Sequence, residues 1–214
     1  NPFLFNMVQR GLFIVVEGCD RSGKTTQCDI LVNKLNQHGI ATELVKFPDR
    51  TTQTGKMIDS YLQQKSDLDD HAIHLLFSSN RWEAMKDLKA KLDQGTTLVV
   101  DRYAFSGVAF SSAKGLDLDW CKQPDVGLLS PDLVLFLDLT IDEAEKRGGF
   151  GEERYEKREL QIKVREEFFR LKDDSWKFIE ASQSKEKVEE DIWETIQQCR
   201  ANSRLDELHY NLWK

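Results

Sequence analysis

The stretch VVEGCDRSGKTTQ, Val15 to Gln27, decides the fold. A run of β-formers meets a glycine loop that closes on Gly-Lys-Thr, and a helical pattern follows it. Within it GCDRSGKT, Gly18 to Thr25, has the spacing G-x4-G-K-[ST]. Backbone N–H groups of Cys19, Asp20, Arg21, Ser22, Gly23, Lys24 and Thr25 can wrap a phosphate there, and the helix N-terminus favours its charge. In this pattern the lysine reaches the β- and γ-phosphates and the threonine hydroxyl lies on the Mg²⁺ side. A chance match to four fixed positions arises in roughly one chain of this length in a hundred, and the strand-loop-helix context makes chance rarer still. The loop also carries a carboxylate, Asp20, and a guanidinium, Arg21, which bare phosphate binding does not require.

Strand and helix patterns alternate on either side of this loop. LFIVVE (12–17) precedes an amphipathic helix in which Ile30, Leu31 and Leu35 share a face and which ends at Gly39. ATELVKF (41–47) leads to a long helical region from about Leu68 to Leu92. TTLVVD (96–101) and DLVLFLDL (132–139) are continuous apolar strands, as expected where both sheet faces are covered. WKFIEA (176–181) precedes a last helix, KEKVEEDIWETIQQC. This alternation predicts one α/β domain over residues 1–214, with a parallel sheet and helices on both faces. Two segments break the rhythm: DRYAFSGVAFSSAKG (101–115), and a Gly-rich, charge-dense stretch around 142–158 that suits a lid.

Composition narrows the function. The 214 residues are 40% hydrophobic and 31% charged, a globular balance, and no apolar run approaches the ~20 residues of a membrane span. With 30 basic and 37 acidic residues the net charge is −7, which argues against a sequence-independent nucleic-acid binder. Cys19, Cys28, Cys121 and Cys199 have no metal-ligand spacing and fit a reducing, cytoplasmic setting. No signal peptide is evident, and NPFLFN (1–6) reads as a leftover leader ahead of a native start at Met7.

The size and the lid suit a small phosphotransferase, in which exclusion of water lets a second substrate take the γ-phosphoryl. NKLN (33–36) lacks the aspartate of a GTPase base-reading motif. The acceptor side is legible in three segments. FPDR (47–50) brings Arg50 to the carboxyl edge of the sheet, where open α/β folds bind ligands. LLFSSNRW (75–82) sets Phe77 and Arg81 one turn apart on one helix face. DRY (101–103) delivers Asp101 and Arg102 to the same edge, with Asp101 placed to orient metal-bound water. Three guanidiniums converging from three segments match the oxygens of a phosphate monoester.

EGxDRxGKxTQ, FPDR, LLFSxNRWE, DRYAFSGVAFxxAK, LDWCKQPDVGLxxPDLVLFLDL and RYE together resemble the eukaryotic thymidylate kinases, in order and over nearly the whole chain. The resemblance implies a P-loop nucleoside monophosphate kinase fold with a central five-stranded parallel sheet, a homodimer, and transfer of the γ-phosphoryl of ATP to dTMP with Mg²⁺. Phe77 would stack on thymine and Arg81 would bond its carbonyl. Arg50 and Arg102 would grip the dTMP phosphate, and Phe47, Ser106, Gly107, Phe110 and Tyr155 would line the pocket with Gln161 nearby. Asp20 would accept the 3′-hydroxyl, and Arg21 would lie over the transferring group. On the ATP side the implied residues are Gly18 to Thr26 of the loop, with Arg147, Arg154 and the ASQS stretch at Gln183. Relatives carry basic residues where this chain has Gln183 and Trp193. A deoxynucleoside kinase is the nearest rival, and a silent nucleotide-binding protein is the rival of a different class.

Overall fold

β1 (Phe13–Glu17) is the central strand, and its alternation explains the layers. Phe13 and Val15 point into one core, while Ile14 and Val16 point into the other. A strand with neighbours on both faces is mostly apolar, and all five residues are buried, the first four apolar and the last a carboxylate, Glu17. The computed structural model describes residues 9–148, 153–202, 205 and 207–214. The expected leader, Met7 and residues 149–152 of the expected lid lie outside these.

Around β1 the chain forms α1 (Lys24–Gln37), β2 (Thr42–Lys46), α2 (Gln53–Leu62), α3 (Asp70–Asp93), β3 (Thr97–Asp101), α4 (Ala104–Ala113) and α5 (Leu118–Lys122). There follow a 3-10 turn (Gln123–Asp125), β4 (Leu133–Asp138), α6 (Ile141–Lys146), α7 (Arg158–Leu171), β5 (Trp176–Glu180) and α8 (Lys185–Asn202). The sheet has five strands in the order β2-β3-β1-β4-β5, all parallel. α1 and α8 cover one face; α3, α4 and α7 cover the other. The α/β reading and the five-stranded parallel sheet therefore hold. Among the described residues no helix is long and apolar enough to cross a membrane.

Two elements differ from the sequence reading. The 101–115 segment, read as irregular, contains α4, of which Ala104, Phe105, Val108, Ala109 and Phe110 are all buried. A helix packed on several sides has no polar face, so the periodicity that reveals surface helices is missing. In α1, Ile30 is half-exposed and Cys28 takes the core position beside Leu31 and Leu35. The helix does stop at the glycine: Gly39 has φ 74° and its N–H bonds the carbonyl of Asn36.

His74 fastens α3 to its neighbours from a fully buried position. Its Nδ1 lies 2.7 Å from the Ser111 hydroxyl of α4, and its Nε2 lies 2.8 Å from the Cys121 carbonyl of α5. The carbonyl only accepts, so Nε2 carries the proton and Nδ1 accepts from Ser111. Burial lowers the imidazole pKa below its usual 6.5, with the nearby Arg81 and Lys114 charges acting in the same direction. The unfolded chain thus binds a proton that the folded chain resists, and the stabilisation is lost as pH falls through about 6.5. Melting curves from pH 7.5 to 5 should show this decline, with a slope of up to about 1.4 kcal/mol per pH unit, and His74→Gln should flatten it.

Candidate active site

The sheet order places β2, β3 and β1 side by side, so the segments leaving their carboxyl ends meet although they are far apart in sequence. They open onto a cavity of about 710 Å³. Its lining includes Asp20, Arg21, Gly23, Lys24, Thr25 and Thr26 from the glycine loop, Phe47 and Arg50 after β2, and Phe77 and Arg81 from α3. Asp101, Arg102, Ser106, Gly107 and Phe110 follow β3, and Arg147 and Tyr155 come from the lid. Lys46, Pro48, Ser111, Glu153 and Glu156 also line it, unforeseen in the sequence.

The loop holds its lysine ready. Lys24 Nζ donates to the Cys19 carbonyl at 2.7 Å and to the Ser22 hydroxyl at 3.4 Å. Burial first, then the positive charge of Arg102, lowers its pKa to about 8. Ser22 and Gly18 lie behind the cavity wall; the Gly18 carbonyl accepts from Arg102 at 3.3 Å. Burial pushes the Cys19 thiol up to about 12, which removes it as a reactive thiolate and leaves it a packing role. Thr25 Oγ1 donates to Asp101 Oδ2 at 2.7 Å. This hydroxyl–carboxylate pair is the donor set expected for Mg²⁺, which takes few protein oxygens and fills its octahedron with phosphate and water. Among the described residues no cluster of three or more His, Cys, Asp or Glu could hold a metal by itself.

Each of the three arginines expected on the acceptor side is held by a carboxylate. Arg81, 2% exposed, bonds Asp125 through Nε at 3.1 Å and Nη2 at 2.6 Å. Asp125 also accepts from the Ser78 hydroxyl at 2.7 Å, so the guanidinium plane is fixed. Gly107 makes room for it, because a Cβ there would lie 2.8 Å from Nη2. Arg102 pairs with Asp20, whose other oxygen accepts from Gln161 Nε2 at 2.6 Å. Gln161 is fully buried and supports Asp20 from behind, and its Oε1 also accepts from the Asp20 N–H at 3.0 Å. Arg50, partly exposed, bonds Asp59 at 2.7 Å and the lid's Glu153 at 2.8 and 3.1 Å. Its loop is tied down by buried Asn80, which accepts from the Asp49 N–H and donates to the Asp49 carbonyl.

On the donor side Arg147 crosses from the lid, donating to the carbonyls of Arg21 and Ala181. Arg21 lies 3.4 Å from Glu156. Arg154 and Gln183 are not brought to the cavity. Arg154 lies over the Tyr61 ring at 4.1 Å and bonds the Tyr61 carbonyl, the Ser66 carbonyl and Asp67. Gln183 donates to the Glu180 carbonyl and Asp191. Trp193 packs against His38 and Lys34 between α1 and α8.

A glycine loop cradling a lysine, a Thr-Asp pair beside it, and a second pocket of arginines under a lid define a P-loop phosphotransferase of the nucleoside monophosphate kinase fold. Comparison with known proteins sharpens this. A family model described as thymidylate kinase matches residues 16–192. The chain is 57% identical to a thymidylate kinase of Arabidopsis thaliana over 87% of this chain and 71% of that one. It is 56% identical to that of Homo sapiens, over 86% of this chain and 89% of that one. The solved thymidylate kinase of Candida albicans superposes with a TM-score of 0.87 at 38% identity, covering 94% of this chain and 98% of that one. The chain belongs to the thymidylate kinase family.

Two expectations follow from the geometry. Phosphate binding restores the charge of Lys24, so above pH 8 nucleotide binding should take up a proton and weaken as pH rises. Titration calorimetry in buffers of different ionisation enthalpy reads that proton directly. Asp125→Ala strands the buried Arg81 charge and should cost about 3–5 kcal/mol in denaturant unfolding.

Proposed function

We propose that this chain phosphorylates dTMP, transferring the γ-phosphoryl of ATP to give dTDP and ADP for dTTP synthesis, and that it does so in the cytoplasm. The observation that carries the reading is the meeting of two phosphate sites in one cavity: the loop with Lys24 and Arg21, and the pocket with Arg50, Arg102, Arg81 and Phe77. The loop takes the ATP phosphates, with Gly18 to Thr26 and Arg147 on the donor side. Arg154 and Gln183 would need to leave their present partners to join them. Phe77 stacks on the thymine, a contact of the order of 1–3 kcal/mol by analogy with other base–aromatic pairs. Arg81, held in plane by Asp125, points its remaining donor edge at a thymine carbonyl.

Arg50 and Arg102 hold the acceptor phosphate, and Phe47, Ser106, Gly107, Phe110 and Tyr155 enclose sugar and base. Asp20 accepts the 3′-hydroxyl while remaining paired with Arg102. A phosphate oxygen of dTMP is already nucleophilic, so no side chain has to remove a proton. Cations aimed at the transferring group lower the barrier, and Arg21 and Lys24 supply them from within the loop. Mg²⁺, when bound on the Thr25–Asp101 side, supplies further charge neutralisation across the phosphates. An unphosphorylated acceptor would bring no anion to Arg50 and Arg102, which disfavours the nucleoside-kinase reading. The presence of Lys24, Thr25, Arg21 and Asp101 together disfavours a silent binding protein.

The homodimer is part of the same proposal. On α3, the apolar Ile73, Met85 and Leu88 belong to the chain's own core. Leu75 and Trp82, seven residues apart on one helix face, stay 48% and 42% exposed and support pairing with a second copy.

ADP formation should be fastest with dTMP, slower with dUMP, whose missing methyl is worth about 1–3 kcal/mol at most, and absent with thymidine. Chelation of Mg²⁺ should abolish it. Arg102→Ala should lose activity by orders of magnitude while still binding ATP. Turnover led by thymidine, or near-normal activity of that variant, would overturn the reading.

A further inference from the structure

We propose that Glu17, the last residue of β1, is a positioning residue that aims Arg102 at the acceptor phosphate. This rests on the reading of Arg102 as a phosphate clamp and adds a residue to it. Glu17 is fully buried, and among the described residues no lysine or arginine donates a hydrogen bond to its carboxylate. Among the described residues its donors come from the start of α4. Oε1 accepts from the Tyr103 N–H at 2.9 Å and the Ser106 N–H at 3.0 Å, and Oε2 accepts from the Ser106 hydroxyl at 2.5 Å. Burying a carboxylate is costly, and a neutral amide could satisfy the two backbone N–H groups at less desolvation.

The carboxylate differs from an amide at the hydroxyl. Burial raises the Glu17 pKa, opposed by its hydrogen bonds to Ser106 and Tyr103 and by the charge of Arg102. In the ionised form both its oxygens only accept, so the Ser106 proton is directed to Glu17 and the lone pairs of Oγ face outward. Arg102 Nη1 donates to that same Oγ at 3.0 Å. The order Glu17, Ser106, Arg102 is therefore a chain of bonds with one allowed polarity. The backbone makes the same connection. Arg102 has φ 70°, the left-handed region that non-glycine residues rarely occupy. The N–H groups on either side of its Cα are both held by β1: that of Arg102 by the Val16 carbonyl at 3.0 Å, and that of Tyr103 by Glu17. A strained turn persists where its surroundings over-determine it, and the end of β1 supplies that constraint. Glu17 thus sets both the backbone from which Arg102 projects and the hydroxyl on which its guanidinium rests.

Glu17→Gln keeps an oxygen for the two N–H groups but turns a donor toward Ser106, so that the hydroxyl proton loses its acceptor and Arg102 must share the Oγ lone pairs with the amide. The test measures KM and kcat for dTMP and for ATP, with melting temperature, in E17Q, S106A, the double variant and R102A. E17Q should lower kcat/KM for dTMP by about ten- to a hundredfold, the range of a lost charge-assisted hydrogen bond, while KM for ATP stays within about twofold. The double variant should be no worse than the poorer single one, because both act through one hydroxyl. Equal losses for both substrates, additive losses, or unchanged dTMP kinetics would overturn the proposal. If E17Q does not fold, S106A alone decides, since a normal KM for dTMP in it breaks the relay. R102A separates the two readings. If it leaves dTMP kinetics unchanged the clamp itself has been misassigned, whereas a crippled R102A beside a normal E17Q removes only Glu17.

Discussion

The parallel pairing of β1 with β3 sets Val16 opposite Asp101 and so fixes where the chemistry can stand. A parallel ladder ends both strands at one level and releases both connections on the same side of the sheet. The glycine loop leaves one strand and the Asp101–Arg102 turn leaves the other. Thr25 then reaches Asp101, and Asp20 reaches Arg102, across neighbouring strands. A shift of one residue in that register would turn Asp101 and Arg102 to opposite faces and separate both pairs. β2, on the far side of β3, adds Phe47 and Arg50 by the same geometry.

Cations gathered in one cavity repel one another, and the fold offsets this with matched carboxylates. Arg81 lies on Asp125, Arg102 on Asp20, and Arg50 on Asp59 and Glu153. These pairs differ in burial and hence in rigidity. Arg81 and Asp125 are sealed from solvent, which on the proposed reading suits a group that faces an uncharged base. Arg50 and Glu153 are both more than a third exposed, so their attraction is screened and easily exchanged.

Most of the framework was legible in the sequence because it is written in local patterns. The strand-loop-helix around Gly18 to Thr25 and the buried runs of β3 and β4 need only neighbours along the chain to be recognised. Phe77 and Arg81 were found by helical spacing, and they do line one wall. What escaped depends on contacts distant in sequence. Asp125 meets Arg81 across 44 residues, and nothing in QPD marks it as a partner. Asn80 sits between two named residues yet serves the Asp49–Arg50 loop, a role visible only when α3 packs against it. α4 was hidden because it lacks a polar face, and the resemblance that supplied Arg154 and Gln183 could not show that other partners hold them here.

The Arg50–Glu153 contact makes arrival of the acceptor an exchange of anions. A carboxylate offers a guanidinium fork two oxygens at the spacing a phosphate does. On the proposed reading, an incoming monophosphate must trade places with the lid's own Glu153, so occupancy of the clamp and release of that lid contact are one event. A neutral nucleoside has nothing to trade and leaves the lid tethered. On that reading, selection for a phosphorylated acceptor is carried partly by the exchange at Glu153, and the Arg50–Glu153 contact reports what the clamp contains.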